Sequence, residues 1–239
     1  MSAELSVIVP VYNEEANVLP LAQEVARALA TQQRVFELLF VDDGSTDGTW
    51  SQIVAARDRD PRVRGLRHER NGGQSAAFWT GLKRASGPIV ATLDGDGQND
   101  PADLPALLAA LDRADMVCGH RVKRQDGGIR RLSSRVARWA RRVALGIDVQ
   151  DAGCFLRVFR RSALENILPF NGWHRFLPVL VSGAGRSVLE LPVNHRPRRA
   201  GVSKYGIGNR LWRGLYDLVG VAWMLKRSLR PATFSELTR

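Results

Sequence analysis

The sequence predicts an α/β fold with a mainly parallel central sheet. Three observations carry that expectation. Short apolar runs alternate with helix-period segments through the first half of the chain. Clusters of Gly, Asp and Ser punctuate the runs. The composition, 44% hydrophobic and 25% charged over 239 residues, gives core enough for one or two domains and excludes a disordered or collagen-like chain.

LSVIVPV from Leu5 reads as the first strand, followed by a helical pattern through about Leu29. FELLFVD is the second strand, closed by the turn cluster DGSTDGT, and VRGLRHE is a weaker third. GGQSAAFWTGLKRA reads as a helix ending near Gly87, and PIVATLD as the fourth strand. Asp100 before Pro101 is a helix cap with proline at the first helical position, and DMVCGH is a fifth strand.

Past His120 the character changes. Ile129, Leu132, Val136, Trp139 and Val143 recur at spacings of three and four, with Arg130, Arg131, Arg135, Arg138, Arg141 and Arg142 between them. That pattern is an amphipathic helix with a cationic face. CFLRVFRR and SVLELPVNHRP read as further strands, and residues 210–230 as an apolar and basic helix, or a helix pair broken near Gly220. GLYDLVGVAWML is shorter than the roughly 18–20 apolar residues that span a bilayer and contains Asp217. The expected organisation is one domain over residues 1–209 with a helical appendage over 210–239. No basic region precedes the first strand, so no signal peptide is expected.

Charge is unevenly placed. Residues 1–115 carry 11 Lys+Arg against 17 Asp+Glu, a net −6, whereas residues 116–239 carry 24 against 7, a net +17. Such asymmetry points to an anionic partner for the second half: nucleic acid, a membrane surface or a phosphorylated substrate. Only Lys83, Lys123, Lys204 and Lys226 of the basic residues are lysine, and arginine's planar fork suits phosphate, although a GC-rich genome gives the same bias. Cys118 and Cys154 sit in apolar surroundings and read as buried free thiols.

The sharpest chemical feature is DGDGQND after the fourth strand. Two carboxylates two residues apart with a nearby amide place oxygen ligands around one point, a set suited to Mg2+ or Mn2+. VPVYNE and VDDGSTDGT end the first two strands at the same sheet edge, where open α/β sheets bind ligands. An Asp at the end of the second strand can accept the N–H edge of uracil or guanine.

With VPVYNE, VDDGSTDGT, NGGQSAA and DGDGQNDP in that order, the chain resembles the family 2 nucleotide-sugar glycosyltransferases of the GT-A, Rossmann-like fold. GHR at 119–121, DVQDAGCFLR, WHRFLP and RRAGVSKYG extend the likeness to the branch of dolichol-phosphate mannose synthase and bacterial polyprenyl-phosphate transferases. The resemblance implies that Pro10, Tyr12, Glu14 and Asp42 hold the nucleoside. It implies that Asp94, Gly95 and Asp96 form the Asp-x-Asp segment, with Asp96 and Gln98 on the metal. Arg121, Arg198 and Lys204 would meet the diphosphate or the acceptor phosphate. Arg130 or Arg131, with Ser134, resembles the family's acceptor-phosphate pair. A single in-line, inverting displacement is implied, using a nucleotide-sugar donor, a polyprenyl phosphate acceptor and a divalent cation.

An ionised phosphate attacks without a strong base, so positioning matters most. A sugar or lipid hydroxyl acceptor would instead require a carboxylate base, Asp151 or else Asp148. The cationic helix and the tail suit a membrane surface rich in anionic lipid. Many relatives carry membrane-spanning tails and none is read in this sequence, so the chain is expected to be peripheral, at the cytoplasmic face of the inner membrane, or to rely on a membrane-protein partner. A nucleic-acid-binding role would use the +17 half, but no binding motif supports it and the acidic cluster would be left unexplained. No nucleic-acid partner is expected.

Overall fold

The computed structural model describes residues 3–122, 142, 143, 145–198 and 208–227. In chain order these form β1 (Leu5–Val11), α1 (Glu15–Leu29), β2 (Phe36–Asp42), α2 (Thr49–Arg59), β3 (Val63–Arg67), α3 (Gln74–Arg84) and β4 (Ile89–Thr92). There follow α4 (Leu104–Ala110), β5 (Met116–Arg121), β6 (Arg157–Arg160), α5 (Trp173–Gly183), β7 (Val188–Val193) and α6 (Gly208–Arg227). The sheet has seven strands in the order β3-β2-β1-β4-β6-β5-β7. All neighbours are parallel except β6, which runs against both β4 and β5.

Every residue of β1 and β2 is buried. Strands covered on both faces read as continuous apolar runs, which is why these two were visible in the sequence. Leu5, Val7, Val9 and Val11 pack with Val18, Leu21 and Val25 of α1 and with Leu104, Leu107 and Leu108 of α4. Ile8 faces the other way, into a cluster with Phe78 of α3, Trp173 and Leu177 of α5 and Val221 of α6. The chain steps outward from β1 to β3, then returns to place β4 on β1's other side. Right-handed crossovers put α1 and α2 on one face and α3 on the other. The reversal leaves a topological switch point between β1 and β4.

Two helices were not legible as such. In α2 only Thr49, Ile53 and Ala56 are buried, an apolar stripe too thin to show a period. In α5 apolar residues run almost unbroken around an interior Pro178. Its Trp173 is 1% exposed and stacks on Phe78 at 4.9 Å, with Trp79 edge-on at 5.9 Å. Truncating a side chain so packed costs about 3–5 kcal/mol. The tail forms one helix that continues through Gly220. Asp100 accepts the Ala102 N–H at 3.0 Å and starts the short turn that leads into α4, as expected. Of the cationic helix expected over 129–145, only Arg142, Val143 and Leu145 lie among the described residues. Cys118 and Cys154 are buried and free, and burial pushes their thiols up to about 12 and about 11.

Candidate active site

At the carboxyl edge of the sheet the turns after β1 and β2 lock together. Asn13 is the one non-glycine residue with positive φ, 51°, among the described residues. Its N–H donates to Ser45 Oγ at 2.9 Å, and its Oδ1 accepts the Thr46 N–H at 2.8 Å. The Glu14 N–H donates to Thr49 Oγ1 at 2.9 Å, while the Glu14 carboxylate takes the Asn17 amide at 2.6 Å. Asp43 pins the next loop: its carboxylate accepts the N–H groups of Gly72 at 2.9 Å and Gly73 at 2.7 Å and meets His68 Nδ1 at 2.7 Å. Asp42 differs. Its Oδ1 accepts the Ser45 N–H at 2.9 Å, but no hydrogen bond reaches its buried Oδ2, although Arg67 Nε lies 3.3 Å away. A buried acceptor with spare capacity suits an incoming N–H donor.

Beyond the last β1–β4 pair, Ile8 with Thr92, the chain enters Asp94-Gly95-Asp96. Gly95 rests on β1: a Cβ there would stand 2.5 Å from Val11 Cγ1 and 2.9 Å from the Pro10 carbonyl oxygen, so no larger residue fits. Pro10 faces this same side past the end of β4, where its missing N–H costs the ladder nothing. The Asp94 N–H donates to Asn99 Oδ1 at 2.8 Å, and Asp94 Oδ1 accepts the Gln74 amide at 2.9 Å. Burial, reinforced by the charge of Asp96, pushes the Asp94 carboxyl up to about 7. Asp96 Oδ1 accepts the Gln98 N–H at 3.1 Å, and its Oδ2 takes Arg198 Nη2 at 2.7 Å.

These carboxylates fit a divalent cation. Their mutual repulsion is what an added positive charge relieves, and oxygen donors suit Mg2+ and Mn2+. No group of three or more His, Cys, Asp or Glu placed to hold a metal ion occurs among the described residues. Asp94 and Asp96 would therefore hold such an ion with water or ligand oxygens completing its shell.

The second half folds arginines over this floor. The strand leaving β7 lies against the 96–100 loop, with the Arg196 N–H on the Gln98 carbonyl at 3.0 Å. The Arg196 guanidinium reaches Glu24 at 2.7 Å and Asp100 at 2.5 Å. Arg121, at the end of β5, forks onto Asp151 with Nε–Oδ2 at 2.7 Å and Nη2–Oδ1 at 2.8 Å. Burial works against the Arg121 charge, but the hydrogen bond and charge of Asp151 outweigh it and raise the guanidinium further. Arg121 and Asp94 feel one another's charge.

The structure thus brings Arg198 onto Asp96, Arg121 onto Asp151 and Pro10 onto Gly95. Tyr12 is half-buried just beyond β1, and Glu14 is tied into its own turn. Gln98 contributes backbone groups to the loop. Arg130, Arg131, Ser134 and Lys204 lie outside the described residues. Gln74, Asn99 and Asp43 were not singled out from the sequence, though NGGQSAA, DGDGQND and VDDGSTDGT contain them. A cavity of about 580 Å³, lined by Asn13, Glu14, Glu15, Asn17, Asp47 and Gln52 among others, opens beside the start of α1, on the turns that follow β1 and β2.

An open α/β sheet with an Asp-x-Asp pair at its switch point is the architecture of the GT-A glycosyltransferases. The chain belongs to glycosyl transferase family 2, whose model matches residues 6–168. It is similar to dodecaprenyl-phosphate galacturonate synthase of Rhizobium johnstonii, 39% identical over 242 residues, covering 98% of this chain and 70% of that one. It is also 39% identical over 217 residues to undecaprenyl-phosphate 4-deoxy-4-formamido-L-arabinose transferase of Pseudomonas aeruginosa. That match covers 90% of this chain but 64% of the relative, so the chain spans less than two thirds of its length. Among solved structures, glucosyl-3-phosphoglycerate synthase from Mycobacterium tuberculosis in complex with Mg2+ and UDP shares the fold. Its TM-score is 0.68 at 21% identity, covering 91% of this chain and 80% of that one. No described helix is long and apolar enough to cross a membrane.

Proposed function

We propose that this glycosyltransferase moves a single sugar from a nucleoside diphosphate sugar to a polyprenyl phosphate, by one inverting displacement at a membrane surface. The names of the two curated relatives support the acceptor class. The observation that carries the choice of a phosphate over a hydroxyl is the Arg121–Asp151 pair. A hydroxyl acceptor needs a carboxylate to take its proton. Asp151 is 6% exposed and both its oxygens are bound by the Arg121 fork. Asp148, the alternate base, is exposed and outside any strand. A phosphate acceptor is already ionised and needs only to be held in line, the work of cationic side chains.

In this reading Asp42 accepts an N–H of the base, while Tyr12 and Pro10 line the nucleoside's entry. Asp94 and Asp96 hold Mg2+ or Mn2+, with Gln98 beside them, and that ion supplies neutralisation of charge on the departing diphosphate. Arg198 and Lys204 stabilise the same charge, and Arg121, Arg130 or Arg131 and Ser134 receive the acceptor phosphate. Tyr216, Val219 and Trp223 are 82%, 69% and 62% exposed along one stripe of α6, ahead of Lys226 and Arg227. An apolar stripe with basic residues at its end suits a peripheral seat among anionic lipids, at the cytoplasmic face where nucleotide sugars are made.

The test is a screen of UDP- and GDP-sugars with Mg2+ or Mn2+. A short-chain polyprenyl phosphate and the matching polyprenol are the two acceptors, and the lipid product is followed by chromatography. Transfer to the phosphate alone is expected. Transfer to the polyprenol would overturn the phosphate reading and bring Asp151 forward as a base.

A further inference from the structure

Arg157 is the largest buried charge that the proposed chemistry leaves without a task. It is 1% exposed. It pairs with Thr92 of β4 and Cys118 of β5, which puts it beside the end of β4, two residues short of Asp94. Thr92 and Asp94 alternate away from Leu93, and Arg157 alternates away from Val158. Leu93 and Val158 both pack under α1 and α4, so Arg157 and Asp94 share the opposite face of the sheet.

Its guanidinium is held by backbone alone. Nη1 donates to the His174 carbonyl at 2.6 Å and Nη2 to the Ala152 carbonyl at 2.8 Å. Nε is buried with no hydrogen-bond partner, and the Phe155 ring centroid lies 5.7 Å from Cζ. Arg121 carries its own carboxylate, whereas Arg157 makes no ion pair among the described residues. A buried cation with no ion pair of its own is expensive, and a fold that needed only two carbonyls bridged could use a neutral amide. Its field already reaches the site, since it is among the charges that act on Asp94.

We propose that Arg157 is a positioning residue for the donor: a permanent, water-excluded cation beneath the end of β4 whose charge is balanced when a nucleoside diphosphate binds above it. Its fork also fixes Ala152, next to Asp151, and the first turn of α5. This rests on the nucleoside diphosphate donor proposed above. Exposed arginines on the rim act through water and are screened by salt, but a buried charge is screened little. Arg157 therefore favours ligands according to the negative charge they bring.

The experiment measures affinities of the full-length protein for uridine, UMP and UDP, and for guanosine, GMP and GDP, with Mg2+ at low and high KCl. Wild type, Arg157→Gln and Arg157→Lys are compared. With the base that binds, Arg157→Gln is expected to weaken the diphosphate on the order of tenfold, the scale of two charges roughly 12 Å apart at an effective dielectric near 20. The monophosphate should lose less and the nucleoside nothing, and the loss should persist at high KCl. Arg157→Lys keeps the charge and should keep the wild-type ladder of affinities. An equal loss for all three ligands in Arg157→Gln would overturn the proposal, because a bracing role alone predicts it. If Arg157→Gln does not fold, Arg157→Lys decides: a folded variant without the preference for the diphosphate overturns the proposal as well. Wild type that binds none of the six ligands would instead overturn the donor reading on which this one stands.

Discussion

At the amino ends of the strands, Glu37 is buried yet fully engaged: Ser6 Oγ reaches its Oε1 at 2.6 Å, Ser86 N at 2.6 Å and Ser86 Oγ at 2.8 Å, and Arg64 takes its Oε2. At the carboxyl ends of the same strands, Asp42 Oδ2 and Arg157 Nε have no hydrogen-bond partner, and Asp94 is pushed up to about 7 by burial and by Asp96. Burial acts on both regions. At Glu37 burial alone would raise the carboxyl, but the hydrogen bonds from Ser6, Ser86 and Arg64 outweigh it and hold the group below its ordinary value. The difference teaches where the molecule keeps its reserves. Glu37, saturated, holds the fold, whereas Asp42 Oδ2 keeps spare capacity for something that binds. An unpaired atom alone does not mark a site, since Arg161 Nε is also unpaired beside the start of β4.

The largest effect that separates the two ends is expected from Asp96→Ala. Turnover should fall by about a hundredfold to a thousandfold, the scale of losing one preorganised electrostatic element. The melting temperature should stay near wild type, since among the described residues Asp96 binds only its own loop and the half-buried Arg198. Activity within tenfold of wild type would break the contrast.

Glu37→Gln is the mirror experiment. It should cost about 2–4 kcal/mol in urea unfolding by unpairing several buried donors, while activity at saturating substrate is retained. Because the folded carboxyl lies below its unfolded value, its contribution is fully present above about pH 4.5 and is lost as pH falls through the folded value. The variant should lack that acid-side decline. Lost activity in a folded Glu37→Gln protein would mean that the two ends are coupled.

Asp42→Asn sharpens the comparison with the smallest change. Its remaining amide oxygen can still accept the Ser45 N–H, so stability should stay within about 1 kcal/mol of wild type. Nucleoside affinity should drop about tenfold, as for a lost charge-assisted hydrogen bond. Unchanged affinity, read by calorimetry, would remove Asp42 from the nucleoside site.

Much of the carboxyl edge was legible because motif and element coincide. Asp42, Asp94 and Asp96 each follow a buried apolar run, so the end of the run fixes the edge on which they gather. Arg198 could be assigned to the same site only through the family likeness, because its contact with Asp96 spans 102 residues. Gln74 and Arg157 were not legible. Gln74 reaches Asp94 only because α3 crosses to the opposite face of the sheet. Arg157 reads as one more basic residue in an alternating strand, and nothing local says that β6 runs antiparallel with that side chain inward. Asp43 illustrates the reverse: adjacent to Asp42 and chemically equal, it is consumed by Gly72, Gly73 and His68.

The insertion of β6 between β4 and β5 also sets a timetable for the growing chain. Ile89 of β4 pairs with Arg160, so one edge of β4 has no strand to meet until roughly 70 residues later have been made. At about 5–20 residues per second that is roughly 4–14 s on the ribosome. Throughout that interval the Ile89–Thr92 edge is open to the wrong partner, and β5, already synthesised, is the nearest one available. Nascent chains stalled before residue 157 should therefore leave the β4 amides that face β6 open to exchange, while those that donate toward β1 are already paired. The missing protection should arrive only once residue 160 has cleared the exit tunnel. The strand that completes the floor of the site is also the one that ends the protein's most exposed moment.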